Sequence, residues 1–353
     1  MVTHKFTEHA LSDWMRGKGP DSEIVISSRV RIARNLNMLP FPMLATNQQS
    51  KEILETLSHV LESKELANLG QFNEVLLSDL NELEKRVLVE KHLISPNLAN
   101  ESRNGAVLIS DNEAASIMIN EEDHLRIQCL YPGFQLEEAW EMASQIDDIF
   151  EDQVDYAFDE TRGYLTSCPT NVGTGIRASV MIHLPALVLT QQMNRLLPAI
   201  TQVGLAVRGI YGEGSEAVGN LFQISNQITL GQSETEIIEN LYSVAKQIIE
   251  HEKAAREKLM LESSTRVKDR IQRSFGILSF AEVMDSKEAS QRLSDVRLGL
   301  DLGIIDGVSS DVLNELIVMS QTGFLQQYYG HKLNTEERDF YRAKLIRDKL
   351  SKS

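Results

Sequence analysis

The sequence predicts an α+β fold: a largely antiparallel sheet flanked by helices, followed by an all-α C-terminal domain. Three observations predict it. Short apolar runs, several with period-two alternation, recur at hairpin spacing between Glu23 and Leu230. Ser233-Glu234-Thr235-Glu236 has the reciprocal pattern of a capping box, which opens a helix. From there to the C-terminus the spacing is helical, with breaks expected at Gly276, Asp285-Ser286, Gly307–Ser310, Gly330 and Asn334. Strands first and helices after place a domain boundary near 250–265, giving domains 1–255 and 256–353.

The elements follow in order. Glu23–Asn35 alternates, with Ile24, Ile26, Val30 and Ile32 on one face and Val25, Ser27, Arg29 and Arg31 on the other. Two arginines on one strand face repel unless an anion lies across them, or unless an edge strand leaves them in solvent. Asn47–Ser63 is amphipathic at helical spacing through Ile53, Leu54, Leu57, Val60 and Leu61, and Leu83–Leu93 is a second helix. Gly105–Ser110 and Ala115–Ile119 are strands. A third, Leu125–Tyr131, places Arg126, Gln128 and Leu130 on one face and stops at Pro132-Gly133. Leu136–Phe150 is a helix with Trp140, Ala143 and Ile146 inward. Short strands follow near Asp155–Phe158 and Gly163–Ser167, then a helix after Pro185, a strand over Val203–Ile210, a glycine-rich loop over Gly212–Gly219 and a hairpin-like segment over Leu221–Leu230.

Charge and cysteine usage exclude several classes. A net charge of −16 over 353 residues argues against general nucleic-acid binding and against an anionic membrane surface. No apolar run approaches the roughly 20 residues that span a bilayer, and Met1–Trp14 lacks a secretory pattern. Cys129 and Cys168 are too few for a disulfide framework and fit a reducing cytoplasm. The acids are unevenly spread. Between Glu160 and Glu213 there is no Asp or Glu, where about seven would be expected from 51 acids in 353 residues. Arg162, Arg177, Arg195 and Arg208 lie in that gap, which suggests a local positive field for an anion.

Opposite in character is Asn120-Glu121-Glu122-Asp123-His124-Leu125-Arg126, set between two apolar strands. Crowded carboxylates raise one another's pKa unless a cation is supplied. A solvated hairpin tip is the bland alternative. Gly173-Thr174-Gly175-Ile176-Arg177-Ala178 formally matches a dinucleotide fingerprint, yet no acid follows at ribose distance, which excludes that reading. No Walker-type phosphate loop is present, so a nucleotide's phosphates would be held by arginine side chains. Cys168 beside arginines would be a reactive rather than an inert thiol. The eight histidines show no metal-ligand spacing, and no dedicated metal ligand is expected.

Asn120–Arg126, Cys168–Ala178 and Ser28-Arg29-Val30-Arg31 together resemble the ATP:guanidino phosphotransferases, the creatine and arginine kinase family. Val207–Glu213 and Lys91-His92-Leu93 resemble two further segments of that family, and the likeness runs in order over roughly residues 20–250. Within it the chain resembles the bacterial protein-arginine-kinase branch. Only 27 residues precede Ser28, against a substantial substrate-covering domain in the small-molecule enzymes, and a helical block of about 90 residues follows the catalytic region. An uncovered acceptor site is therefore expected.

The resemblance implies a site. Glu122 and Glu213 would orient the acceptor guanidinium and take its proton, and Cys168 would contact it as a tuning thiolate. Ser27, Ser28, Arg29, Val30, Arg31, His92, Arg126, Arg177, Ala178, Ser179, Val180, Met181, Arg208, Gly209, Ile210, Tyr211 and Gly212 would hold ATP, with Mg²⁺ carried through phosphates and water. Arg338, Asp339, Arg342 and Ala343 match a regulatory phosphoarginine-binding signature; Arg338 and Arg342 at i,i+4 would form its clamp. Two departures stand out. Met181 replaces a common histidine, making base contact apolar, and Tyr211 replaces an arginine. By analogy the resemblance further implies protein substrates marked for degradation in a bacterial stress response, an activator protein, a Clp protease and a homo-oligomer. A kinase for free arginine and a non-catalytic phosphoarginine adaptor are the rival readings.

Overall fold

The computed structural model describes Val2–Gly209 and Val218–Lys352. Ten strands form among the described residues: β1 (Val25–Arg34), β2 (Phe72–Leu76), β3 (Ala106–Ser110), β4 (Ala115–Ile119), β5 (Leu125–Pro132), β6 (Phe158–Asp159), β7 (Gly163–Tyr164), β8 (Ile176–His183), β9 (Leu205–Gly209) and β10 (Leu221–Asn226). Eight of them make one antiparallel sheet in the order β2-β3-β4-β5-β1-β8-β10-β9, while β6 and β7 pair separately. The arginine strand β1 is thus central, between β5 and β8, and not the edge strand that would leave its charges fully in solvent.

The helices are α1 (Val2–Glu8), α2 (Asn47–His59), α3 (Lys64–Leu69), α4 (Glu82–Glu90), α5 (Pro96–Glu101), α6 (Leu136–Glu151), α7 (Pro185–Leu189), α8 (Met193–Gln202), α9 (Glu234–Phe280), α10 (Ser286–Asp301), α11 (Ser310–Met319), α12 (Thr322–Tyr329) and α13 (Thr335–Leu350). One sheet face carries Val30, Ile32, Ile117, Ile127, Ala178, Val180 and Ile224, and buries them under α2, α6 and the first half of α9. Behind β2–β4 the other face packs Val107, Ile109 and Met118 against α4, α5 and Phe6 of α1. The rest of that second face is the arginine surface.

Three expectations are corrected. A β-bulge shifts the β1–β8 register between Val25 and Ser27, which flips side-chain parity at that point. Val25 therefore joins the core, and Ile26 turns toward the arginine face. The helix expected to run to Leu93 ends at Glu90, because His92 adopts φ 59°, a left-handed conformation that no helix continues through. Gly276 does not break α9, since an isolated helical glycine costs only about 1 kcal/mol and buried Ile271 and Leu278 hold that stretch. The departure in α9 lies instead at Ser263, whose φ is −141°.

The helical region is bolted to the sheet by buried polar contacts. Glu252 accepts the Ala186 and Leu187 N–H groups at 3.1 and 3.0 Å, capping α7, and pairs with Arg256 at 2.9 Å. Arg297 donates to Ser22 O at 2.9 Å and to Asn314 Oδ1 at 2.6 Å. Glu90 receives the Gly323 and Phe324 N–H groups at 2.7 and 2.8 Å, capping α12.

Candidate active site

Antiparallel register fixes the geometry. Arg31 stands opposite Gln128 on β5 and Arg177 on β8; Arg29 stands opposite Leu130 and Ser179; Ser27 stands opposite Pro132 and Met181. Met181 pairs with Gln223, which pairs with Arg208 on β9. Arg126 lies across from Ala33, at the other end. Five arginines from four strands thus share one face, and most of it floors a cavity of ≈ 660 Å³. The lining includes Arg29, Arg31, Arg126, Arg208, Gly209, His92, Met181 and Glu122.

The cations are strained by one another. Burial, then Arg126 and Arg177, hold the Arg29 guanidinium down at about 10, so it remains charged at neutral pH. Burial and its three arginine neighbours depress Arg31 well below its usual range. Arg29 donates to Gln223 at 2.8 Å and to Ser179 at 3.4 Å, whereas Arg31 Nε is buried with no protein partner among the described residues. Like charges held this close with unfilled donor capacity are built for an anion with several oxygens. His92 is kept neutral at neutral pH: burial, then Arg29 and Arg31, push it down to about 4.

The acidic stretch is the β4–β5 turn, and four of its five residues are committed. Asn120 (φ 56°) donates to Ser50 O and Asn104 O at 2.8 and 3.0 Å. Glu121 takes Arg126 at 2.7 Å and Ser95 Oγ at 2.5 Å; burial raises its pKa, but these partners outweigh burial and leave it lowered. Asp123 receives Asn35 Nδ2 and Ser167 N, each at 2.6 Å. His124 accepts the Leu36 N–H at Nδ1, which leaves Nε2 to donate to Pro40 O at 3.0 Å. Glu122 is half-buried, and its carboxylate has no hydrogen bond or ion pair to the described residues. Burial, then Glu121 and Asp123, raise its pKa, with Arg126 and Arg177 offsetting part of the rise. A half-buried carboxylate with raised proton affinity, beside a phosphate-type site, is suited to general-base work.

Glu122 also lines a second cavity, of ≈ 540 Å³, with Pro42, Met43, Asn97, Arg103 and Glu121. Cys168 lines neither cavity. It is partly exposed, its Sγ 3.0 Å from Thr170 Oγ1, and the Ser167–Asp123 bond ties its loop to the acidic turn. Arg177 also lies outside the cavity lining; one of its bonds goes to Asn226 O at 3.2 Å. Ser27 and Ser179 sit on the arginine face. Ser28, Val30, Ala178 and Val180 face the core, and Ser28 Oγ is spent on Gly133 O and Gln135 N. Glu213, Ile210, Tyr211 and Gly212 lie outside the described residues. The glycine turn is structural: Gly175, at φ 68°, could carry no Cβ, which would sit 2.6 Å from Ala33 O.

In this structure Arg338 and Arg342 both have protein partners, and Asp339 pairs with Arg342. Arg342 is buried, donating to Ser320 O at 2.9 Å, Met284 O at 2.8 Å and Asp339 at 2.7 Å, while Arg338 bonds Leu333 O and Thr335. Ala343 is core. Arg342→Ala strands two carbonyls and a carboxylate, so a stability loss of about 3 kcal/mol is expected. Chemical denaturation reads it, and an unchanged midpoint would show that these bonds contribute nothing.

Sequence reasoning missed Glu121, Gln128, Gln223 and the helical-region residues Asn314, Ile317, Val318 and Gln321, which complete the larger cavity. Gln128 and Gln223 were findable, as polar residues in phase with the strand arginines.

Sheet, arginine floor and free carboxylate define a phosphotransferase of guanidino-kinase architecture. In fold the chain is similar to lombricine kinase (TM-score 0.59, 23% identity, covering 72% of this chain and 76% of that one). It is also similar to the duplicated taurocyamine kinase of Schistosoma mansoni (TM-score 0.60, 23% identity, covering 70% and 35%). Residues 52–255 match the ATP:guanido phosphotransferase C-terminal catalytic domain, and 264–353 match the protein-arginine kinase McsB C-terminal domain. The protein-arginine kinase of Brevibacillus brevis is 61% identical over 99% of this chain and 98% of its own length; that of Bacillus subtilis is 59% identical over 99% and 96%. The chain belongs to the ATP:guanido phosphotransferase family, in its protein-arginine kinase branch, and is an enzyme.

Proposed function

We propose that this enzyme transfers the γ-phosphoryl of MgATP to the guanidinium of arginine residues in proteins. The observation that carries the reading is Glu122's position, shared between the arginine-floored cavity and the second cavity. ATP fits the first: its phosphates satisfy Arg29, Arg31, Arg126 and Arg208. The acceptor enters the second, beside exposed Met43 and Leu44. Glu122 accepts the guanidinium proton as that nitrogen bonds to the γ-phosphorus, the bond to the bridging oxygen breaks, and ADP leaves. The arginines neutralise charge on the transferring group. Glu213 serves as second carboxylate, and the Cys168 sulfur as a tuning contact to the guanidinium. Mg²⁺ would be held through the phosphates and water and would supply further charge neutralisation there, beside Arg29, Arg31, Arg126 and Arg208.

On this reading residues 1–255 are the catalytic domain and 256–353 a regulatory and dimerising one. The phosphorylated proteins are marked for a Clp protease during bacterial cytoplasmic stress, under an activator protein. Labelled phosphate transfer from MgATP to free arginine and to an arginine-rich folded protein tests the reading. Acid-labile label on protein alone is the expected result; label on free arginine would favour a small-molecule kinase, and no transfer an adaptor.

The base must be ionised in the free enzyme, and its folded pKa is raised. The acid limb of kcat/KM is therefore expected above the ordinary carboxylate range, with activity lost as pH falls through it. A limb at or below that range would point to another group.

A further inference from the structure

The larger cavity has a charged end and, beyond the last arginine of β1, an apolar corner. Arg126 and Glu122 stand at the acidic-turn end, and the sheet rows then pass Arg31 and Arg29 to Met181, whose row continues through Gln223 to Arg208 on the edge strand β9. Six residue steps of β1 separate Ala33, opposite Arg126, from Ser27, opposite Met181, or about 20 Å of strand. Past the Met181 row lie Ile26, turned inward by the bulge, and Leu221. Over this end lies α11. Ile317 and Leu221 also line a small adjoining cavity together, and Val318 belongs to the apolar cluster of Trp14, Met15 and Leu130, against which Ile26 packs.

This roof is fixed at both ends. Asn314 donates to Met15 O and accepts from Arg297, and Glu90 holds the two N–H groups that open α12. An apolar slot with a rigid lid, at the far end of a row of arginines, suits a planar base whose phosphates run along that row.

We infer that α11 is part of the nucleotide site: Ile317 and Val318 cover the base, which rests on Met181, Ile26 and Leu221. The inference rests on the reading that the cavity takes ATP. Selection for a base-bearing donor over bare polyphosphate is then supplied in part by the helical region, while the arginines supply the affinity common to both.

Calorimetric titration of the full chain with ATP and with inorganic tripolyphosphate separates the two contributions. Ile317→Ala is expected to weaken ATP about 10-fold and to leave tripolyphosphate unchanged. Val318→Thr, nearly isosteric, moves in the same direction and serves where the alanine variant does not fold. Arg31→Ala weakens both ligands. Unchanged ATP binding in the α11 variants, with both ligands weakened in Arg31→Ala, would overturn this inference alone. Equal losses of both ligands in the α11 variants would also overturn it, as general damage to the cavity. Arg31→Ala binding both ligands normally would overturn the ATP reading itself.

Discussion

Replacing Glu122 with Gln is expected to lower kcat for phosphoryl transfer by about 10²- to 10⁴-fold, the usual worth of a positioned general base. ATP affinity should change little. The amide keeps the shape of the carboxylate but cannot take the proton, and a guanidinium above pKa 12 does not lose one unaided. The structure makes this a clean substitution. Asn120, Glu121, Asp123 and His124 hold the turn through buried bonds, and Glu122 adds only its backbone N–H to Glu121, which the amide variant keeps, so the fold should not notice the change. Single-turnover transfer measured beside ATP binding separates the possibilities. A kcat within a few-fold of the parent would remove Glu122 from the chemistry. A parallel loss of ATP affinity would show instead that it supports the donor site.

Why that turn is acidic was only partly legible. The charge pattern marked it, and the arginines at period two marked the opposing face, because strand alternation is written directly in sequence. What the alternation could not reveal is the bulge at Val25/Ser27, which reverses Ile26 without altering composition. Nor could it separate Glu121 from Glu122. Which of two adjacent acids is consumed by Arg126 and Ser95 depends on the turn's backbone, and on Ser95 lying 26 positions away in sequence. Ile317 and Val318 read as ordinary helix-core residues, and their place over the cavity follows from how α11 docks, a tertiary fact with no local signature. The burial of Arg342 was hidden for the same reason. An i,i+4 arginine pair looks alike whether its face is wet or buried, and here three carbonyl and carboxylate partners enclose it.

The arginine floor carries the second large expectation, and it runs against the usual effect of removing a partly buried side chain. Arg31→Ala should weaken ATP by at least about 100-fold, since a partly desolvated guanidinium bound to phosphate is among the strongest contacts a protein makes. The free protein, however, should melt no lower than the parent. Burial and repulsion from Arg29, Arg126 and Arg177 depress the Arg31 pKa in the folded state. For a basic group that sign means its charge opposes folding at every pH where the unfolded chain is protonated, including neutrality. Removing it relieves that opposition, offsetting the packing lost with the side chain. Adding tripolyphosphate should raise the parent's Tm by mass action and leave the variant's nearly unmoved. Should the ligand-free variant melt several degrees lower yet keep the full ligand-induced rise, Arg31 would be a structural residue and the floor would not be the anion site. The expected pattern instead describes a sheet face kept electrostatically unfavourable until a polyphosphate lies across it.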